Sequence, residues 1–295
     1  MHVCAIGAGR LGMPYGVSLA RLGHHVLMVD NNEVVVAQIN AQQPPFGEPG
    51  LAAAITEQVV ARRLQATTSF PAAADHANPH VVCVGTPQQS GSLAADLRDL
   101  TAAFDAIVQH SRRDTVIFGK SSVPVGTAAT LAEQARSSDW RVEWPGARTF
   151  LRESTSLADA DRPDRIVLGL PRGSRLAEPL LRTLWAPLLA AGVPLIVTNT
   201  ASADLAKYAA NSFLATKTSS STWLPPCSDR TGGDITAITE ALALDPRIGP
   251  AALRPGIGWG GTCLPMDLRA FSAQASDDGL GEESASLTRS TSSTS

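Results

Sequence analysis

Short apolar runs alternate with helical stretches through the first two thirds of the chain, and the first run passes straight into a glycine-spaced turn. The candidate strands are Val3–Ile6, His25–Val29, His80–Val84, Thr115–Phe118, Arg165–Leu168 and Pro194–Val197. They are short, nearly continuous and rich in valine and isoleucine, the pattern of strands buried on both faces of a parallel sheet. Helix candidates lie between them at Arg10–Leu22, Leu93–Gln109 and Arg175–Leu189. A β-α-β-α order of this kind predicts an α/β, doubly wound domain over residues 1–198.

A different texture follows. Ala201–Lys217 reads as one helix, and the Ser/Thr run at 218–222 with Pro225-Pro226 is expected to end it, because each proline removes an N–H donor and crowds the preceding turn. Asp234–Leu244 resumes a helical pattern, and Arg254–Leu264 reads as a glycine-rich loop. The second domain is expected to be helical over 199–272. Residues 273–295 lose their apolar period and are expected to form a disordered tail.

Gly7-Ala8-Gly9-Arg10-Leu11-Gly12 follows a candidate strand and opens a candidate helix, the context in which GxGxxG signals dinucleotide binding. Gly7 suits the tight turn, Gly9 allows close approach of a pyrophosphate, and Gly12 allows close helix–strand packing. Arg10 and Leu11 join them as candidate cofactor contacts, since free N–H groups at a helix N-terminus favour phosphate. Asp30 ends the second strand at the offset where a carboxylate accepts hydrogen bonds from ribose hydroxyls and repels a 2′-phosphate. The cofactor is therefore expected to be NAD rather than NADP, in a Rossmann-like domain. Thr86 follows the third candidate strand and is a further candidate cofactor neighbour.

Composition removes other function classes. The 295 residues carry 24 Lys and Arg against 27 Asp and Glu, which gives no basic footprint for nucleic acid or an anionic membrane. No stretch of 18 or more apolar residues is available to span a bilayer. Cys4, Cys83, Cys227 and Cys263 form no CxxC pair, so neither a disulfide framework nor a zinc site is expected. The N-terminus lacks a signal-peptide pattern, and the expected location is the cytoplasm.

Catalytic candidates cluster late in the chain. Cys263 lies in Gly258-Trp259-Gly260-Gly261-Thr262-Cys263-Leu264-Pro265, where a bare backbone allows a substrate to come close. A lone cysteine is as a rule inert, so the pattern alone leaves its role open. Lys207 and Asn211, four apart on one predicted helix, share a face and can converge on one oxyanion. Glu153 and Asp267 are carboxylates placed to move protons or orient water.

Taken together, these stretches resemble the UDP-glucose/GDP-mannose dehydrogenase family. The resemblance rests on GAGRLGMPYG at 7–16, EPGL at 48–51, VCVGTP at 82–87, SSVPVGT at 121–127, FLRE at 150–153, RPDRIVLG at 162–169, AKYAANSFLATK at 206–217 and DPRIGPAALRPGIGWGGTCLPMD at 245–267. It covers about residues 1–272 and keeps the family's order. The resemblance implies oxidation of a nucleotide-sugar C6 alcohol to a carboxylate with two NAD, UDP-glucose being the expected substrate. Cys263 would be the covalent nucleophile, and Lys207, Asn211, Glu153 and Asp267 would serve oxyanion, water and protons. Thr86 and Ser122 would line the NAD site.

The departures are specific. Ala147-Arg148-Thr149 stand where the family has Asn-Pro-Glu, and Met266 stands where it has a lysine. Thr222-Trp223 replace an Asn-Glu pair. Pro225-Pro226 fall in the helix that builds the family's dimer, so a homodimer is expected to be weakened. The family's C-terminal nucleotide-binding domain has no counterpart in these residues, so the second domain reads as truncated and turnover as impaired. Two other readings stay open: a non-catalytic NAD-binding remnant or partner subunit, and a β-hydroxyacid-type dehydrogenase, against which the GGTC loop argues.

Overall fold

The structure is a computed structural model that describes residues 1–148, 150–152, 155–253 and 263–281, with Cys263 described by its backbone alone. The chain divides into two compact units: Met1–Pro87 with Asp96–Leu205, and Gln88–Ala95 with Ala206–Ser295.

The first unit is built from β1 (His2–Ile6), α1 (Gly12–Arg21), β2 (His25–Val29), α2 (Glu33–Asn40), α3 (Leu51–Val60), β3 (Leu64–Thr67), α4 (Phe70–His76) and β4 (Pro79–Val82). It continues with α5 (Arg98–His110), β5 (Thr115–Gly119), α6 (Thr127–Gln134), β6 (Val142–Glu143), β7 (Gly146–Arg148), α7 (Ser156–Asp161), β8 (Ile166–Leu170), α8 (Ala177–Leu184), α9 (Ala186–Ala190) and β9 (Leu195–Asn199). The strands form one sheet in the order β3-β2-β1-β4-β5-β7-β8-β9, with β6 also paired to β5. The chain winds outward from β1 to β3, then returns to the other side of β1 with β4. This reversal opens a crevice beyond the C-terminal ends of β1 and β4, where ligands bind in such sheets.

Alternating strand residues face two hydrophobic layers. Val3 and Ala5 join Met13, Leu19, Met28, Phe118 and Trp185 on one face. Cys4 and Ile6 join Leu100, Phe104, Ile107 and Trp144 on the other. Helices on both faces explain why the central strands read as continuous apolar runs. The expectation of a wholly parallel sheet is corrected at one place: β7 pairs antiparallel with β8, so β8 and β9 run opposite to the rest. Among the described residues only the short α7 lies between β7 and β8, too little for a full crossover.

The second unit contains most of α10 (Thr200–Thr231), then α11 (Ile235–Leu244) and α12 (Cys263–Asp277). Two expectations are corrected here. α10 is continuous through Pro225 and Pro226. Proline's fixed φ is itself a helical value, so each ring removes one hydrogen bond without forcing the chain out of the helix, and five residues of α10 follow the pair. α12 runs on through 273–277, past the expected start of the tail. Its inward positions Leu268, Ser272 and Ala275 are buried at helical spacing, and Phe271 stacks on Tyr208 with ring centroids 5.5 Å apart. From Ser272 on, small and polar residues carry that stripe, so hydropathy does not reveal it.

Candidate functional site

The glycine turn after β1 has three positions with three different demands. Gly7 has φ +92°, and a β-carbon there would lie 3.1 Å from the Cys83 carbonyl oxygen. At Gly12 a β-carbon would lie 1.8 Å from the Gly7 carbonyl oxygen. At Gly9 it would meet nothing within 4 Å. The first two glycines are required by the protein's own backbone. The third leaves open space over the turn, the cradle a phosphate group needs.

That space belongs to a cavity of about 440 Å³ whose walls include Gly7, Gly9, Asp30, Phe70, Cys83 and Gly85. Val29, Phe70, Ala102 and Ala103 give it an apolar side suited to a flat base. Its charged lining residues are Asp30 and Asp99, both acidic, which is unfavourable for a 2′-phosphate. Asp30 Oδ2 accepts from Ala8 N at 2.7 Å and Oδ1 from Asn32 N at 2.9 Å. The carboxylate is thereby held at the edge of the glycine turn, with lone pairs left for ribose hydroxyls. The shape, the bare backbone and the fixed carboxylate fit a dinucleotide.

Gly7, Gly9 and Asp30 line this cavity, and Gly12 packs directly behind Gly7. Arg10, Leu11, Thr86 and Ser122 are not among its walls. The Arg10 guanidinium lies 5.8 Å from the Phe46 ring centroid, and Leu11 precedes the first turn of α1. Thr86 and Ser122 meet each other: Thr86 Oγ1 donates to the Ser122 carbonyl at 2.8 Å, joining the segments that follow β4 and β5. Sequence reasoning missed Phe70, Asp99 and Ala102. Two of them sit on α5, whose small inward residues carry no motif.

In the second unit Lys207 and Asn211 lie one turn apart on α10. Asn211 is buried, and its Nδ2 donates to Asp267 Oδ2 at 2.5 Å. Asp267 is 5% exposed and stands one turn after Cys263, the first residue of α12. The structure therefore brings together two of the predicted catalytic residues, with Lys207 half-buried on the preceding turn of α10. Lys217 Nζ donates to the carbonyls of Ile248 and Gly249 at 2.6 and 3.1 Å, tying α10 to the segment after α11. Glu153, the glycine-rich loop and the side chain of Cys263 lie outside the described residues.

The other thiols sort by burial. Burial pushes the Cys4 thiol up to about 12. Cys83 is also pushed up to about 12, burial outweighing the opposing Lys120 cation. Both stay protonated and are poor nucleophiles. Cys227 is exposed. Among the described residues no His/Cys/Asp/Glu group could hold a metal ion, and no helix is long and apolar enough to cross a membrane.

Comparison with known proteins agrees with this geometry. Residues 1–189 match the NAD binding domain of the UDP-glucose/GDP-mannose dehydrogenase family, and residues 201–293 match its central domain. A UDP-glucose 6-dehydrogenase of Rickettsia felis is 34% identical over 272 residues, covering 92% of this chain and 60% of that protein. The UDP-glucose 6-dehydrogenase YwqF of Bacillus subtilis is 34% identical over 274 residues, with 92% and 61% covered. A UDP-glucose dehydrogenase structure from Pyrobaculum islandicum superposes with a TM-score of 0.91 at 32% identity, covering 98% of this chain and 68% of that one. The chain thus spans about 60% of the length of the Rickettsia relative. With an NAD-binding first domain and a helical second domain matched in order, the chain belongs to the UDP-glucose/GDP-mannose dehydrogenase family.

Proposed function

We propose that the chain carries the catalytic machinery of an NAD-dependent nucleotide-sugar 6-dehydrogenase, with UDP-glucose as the substrate to test first. The observation that carries this reading is the Asn211–Asp267 hydrogen bond, one helical turn from both Lys207 and Cys263. Gly7, Gly9, Gly12 and Asp30 would hold the dinucleotide, with Thr86 and Ser122 at its second half. NAD, when bound, accepts one hydride from the sugar C6 carbon in each of two oxidations.

The remaining chemistry falls to side chains. The Lys207 ammonium and the Asn211 amide stabilise negative charge on the C6 oxygen. The Cys263 thiolate adds to the C6 aldehyde, forming a C–S bond and a tetrahedral thiohemiacetal. This addition is needed because the tetrahedral carbon again has an oxygen-bearing C–H that can give up a hydride. The second oxidation leaves a thioester. Water attacks that carbonyl, the C–S bond breaks, and the thiolate returns. Asp267 and Glu153 take up protons and orient the water. In sum, a CH₂OH group and one water become a carboxylate, two hydrides pass to two NAD, and three protons pass to solvent.

The same reading carries a homodimer, supported by the exposed apolar residues Phe213, Trp223 and Leu244 on α10 and α11. The unbroken α10 removes the reason for expecting Pro225 and Pro226 to weaken it. A cytoplasmic location goes with a cysteine pattern that offers no disulfide framework.

A second reading, dinucleotide binding without turnover, draws on Met266, which stands beside Asp267 where the resemblance implies a lysine. A panel of nucleotide sugars assayed for NADH formation separates the two. Two NADH per sugar, lost in Cys263→Ala, supports the dehydrogenase. NADH binding with no sugar-dependent NADH formation supports the second reading.

A further inference from the structure

Arg148 ends β7, and Asp204 lies in the part of α10 that belongs to the first unit. Their side chains are each 2% exposed. Arg148 Nε and Nη2 donate to Asp204 Oδ1 at 3.0 and 2.5 Å. Arg148 Nη1 donates to the Ser121 carbonyl. The residue before Arg148 is tied to the same turn, since Lys120 Nζ reaches the Ala147 carbonyl at 3.5 Å.

The turn so held is the one that follows β5. Ser121 Oγ donates to the Val84 carbonyl at 2.7 Å, and the Ser122 carbonyl accepts from Thr86 Oγ1 at 2.8 Å. Val84 and Gly85 are walls of the cofactor cavity. One buried guanidinium thus fixes the turn after β5, and that turn fixes the segment after β4. In the strand order β2-β1-β4-β5, these ends lie on the opposite side of β1 from Asp30. A dinucleotide lies across the reversal point, so the half remote from Asp30 falls here.

A buried ion pair is a poor device for stability alone. An apolar pair of similar volume often does as well or better. What an apolar pair cannot supply is the third hydrogen bond, to the Ser121 carbonyl. We propose that Arg148 and Asp204 are positioning residues for the nicotinamide half of the bound dinucleotide, acting through the Ser121–Ser122 turn. The proposal rests on dinucleotide binding by the first unit and on no catalytic step.

The test compares NADH with ADP, which carries only the adenine half, as ligands of the full chain. Arg148→Met alone strands a buried carboxylate and can cost the fold, so the informative protein is Arg148→Met with Asp204→Leu, checked by its melting temperature. NADH affinity should fall about tenfold, the scale of one lost hydrogen bond to an ordering group, with ADP affinity within about twofold of the original. Unchanged NADH affinity in the folded double variant overturns the proposal. A parallel loss of NADH and ADP also overturns it, since that marks a general structural role. If the unmodified chain bound neither ligand, dinucleotide binding itself would fail and the proposal with it.

Discussion

Gly9 and Gly12 make opposite predictions from the same motif. Alanine at Gly12 places its β-carbon 1.8 Å from the Gly7 carbonyl oxygen and 3.0 Å from the Cys83 β-carbon. The nearer neighbour is backbone in a turn that has no slack, so α1 must shift away from β1. Overpacking of this kind costs about 1–3 kcal/mol. For a domain of this size, 1 kcal/mol moves the melting temperature by roughly 2–4 °C, so a fall of about 2–12 °C is expected. Alanine at Gly9 meets nothing within 4 Å, and Gly9 is not among the positive-φ glycines. It should leave stability unchanged or raise it by about 0.4–1 kcal/mol through the unfolded chain. Its methyl group nevertheless fills the space a pyrophosphate needs, so NADH affinity should fall at least about tenfold. Thermal melts and NADH fluorescence titrations of both variants provide the check. Gly9→Ala binding NADH as tightly as the original would refute the cradle, and an unchanged melting temperature in Gly12→Ala would refute the packing argument.

Three further outcomes are expected. Asp30→Ala should weaken NADH by about 1.5–3 kcal/mol and relax discrimination against NADPH; equal affinity for the two in the unmodified chain would sink this. His80 is fully buried, and burial lowers its pKa from 6.5 to about 3, so the unfolded chain takes up a proton that the folded chain refuses. Its contribution is therefore complete above pH 6.5 and is lost as the pH falls toward about 3, at about 1.4 kcal/mol per pH unit, and urea titrations should show a shallower acid slope in His80→Leu. Limited alkylation of the native chain should label Cys263 first, with Cys227 as the competitor and Cys4 and Cys83 protected; label on Cys83 ahead of Cys263 would contradict the assignment.

The central strands were legible because burial on both faces leaves an uninterrupted apolar run. β3 was not, since only Leu64 of Leu64–Thr67 is buried and the strand sits at the sheet edge. β6 and β7 are two and three residues long, too short for any period to register. The proline pair misled because the rule concerns lost hydrogen bonds, and a long helix tolerates two such losses when its flanking turns remain intact. The cofactor half of the site was readable because its demands are local: Gly7, Gly9 and Gly12 lie within one turn, and Asp30 at a set offset. The Asn211–Asp267 pair was half-readable. Each residue carried a motif, but nothing in the sequence says that the amide of one meets the carboxylate of the other.

The stretch 147–149 shows how a motif comparison can report a loss and miss a gain. Against the family pattern, Ala147-Arg148-Thr149 gives up a carboxylate, and on that basis the segment reads as degraded. In the fold, Arg148 is a buried cation whose counter-ion, Asp204, lies 56 residues away and whose remaining donor reaches Ser121. Burial alone raises the pKa of Asp204, and the neighbouring guanidinium opposes that rise, so neither charge is intelligible by itself. A charge left single in such a place costs several kcal/mol, whereas the pair together is nearly neutral in stability. The two residues therefore act as one unit. Position-by-position comparison has no means to score such a pair. In this chain the turn after β5 is held by a guanidinium that a comparison confined to 147–149 counts only as a departure.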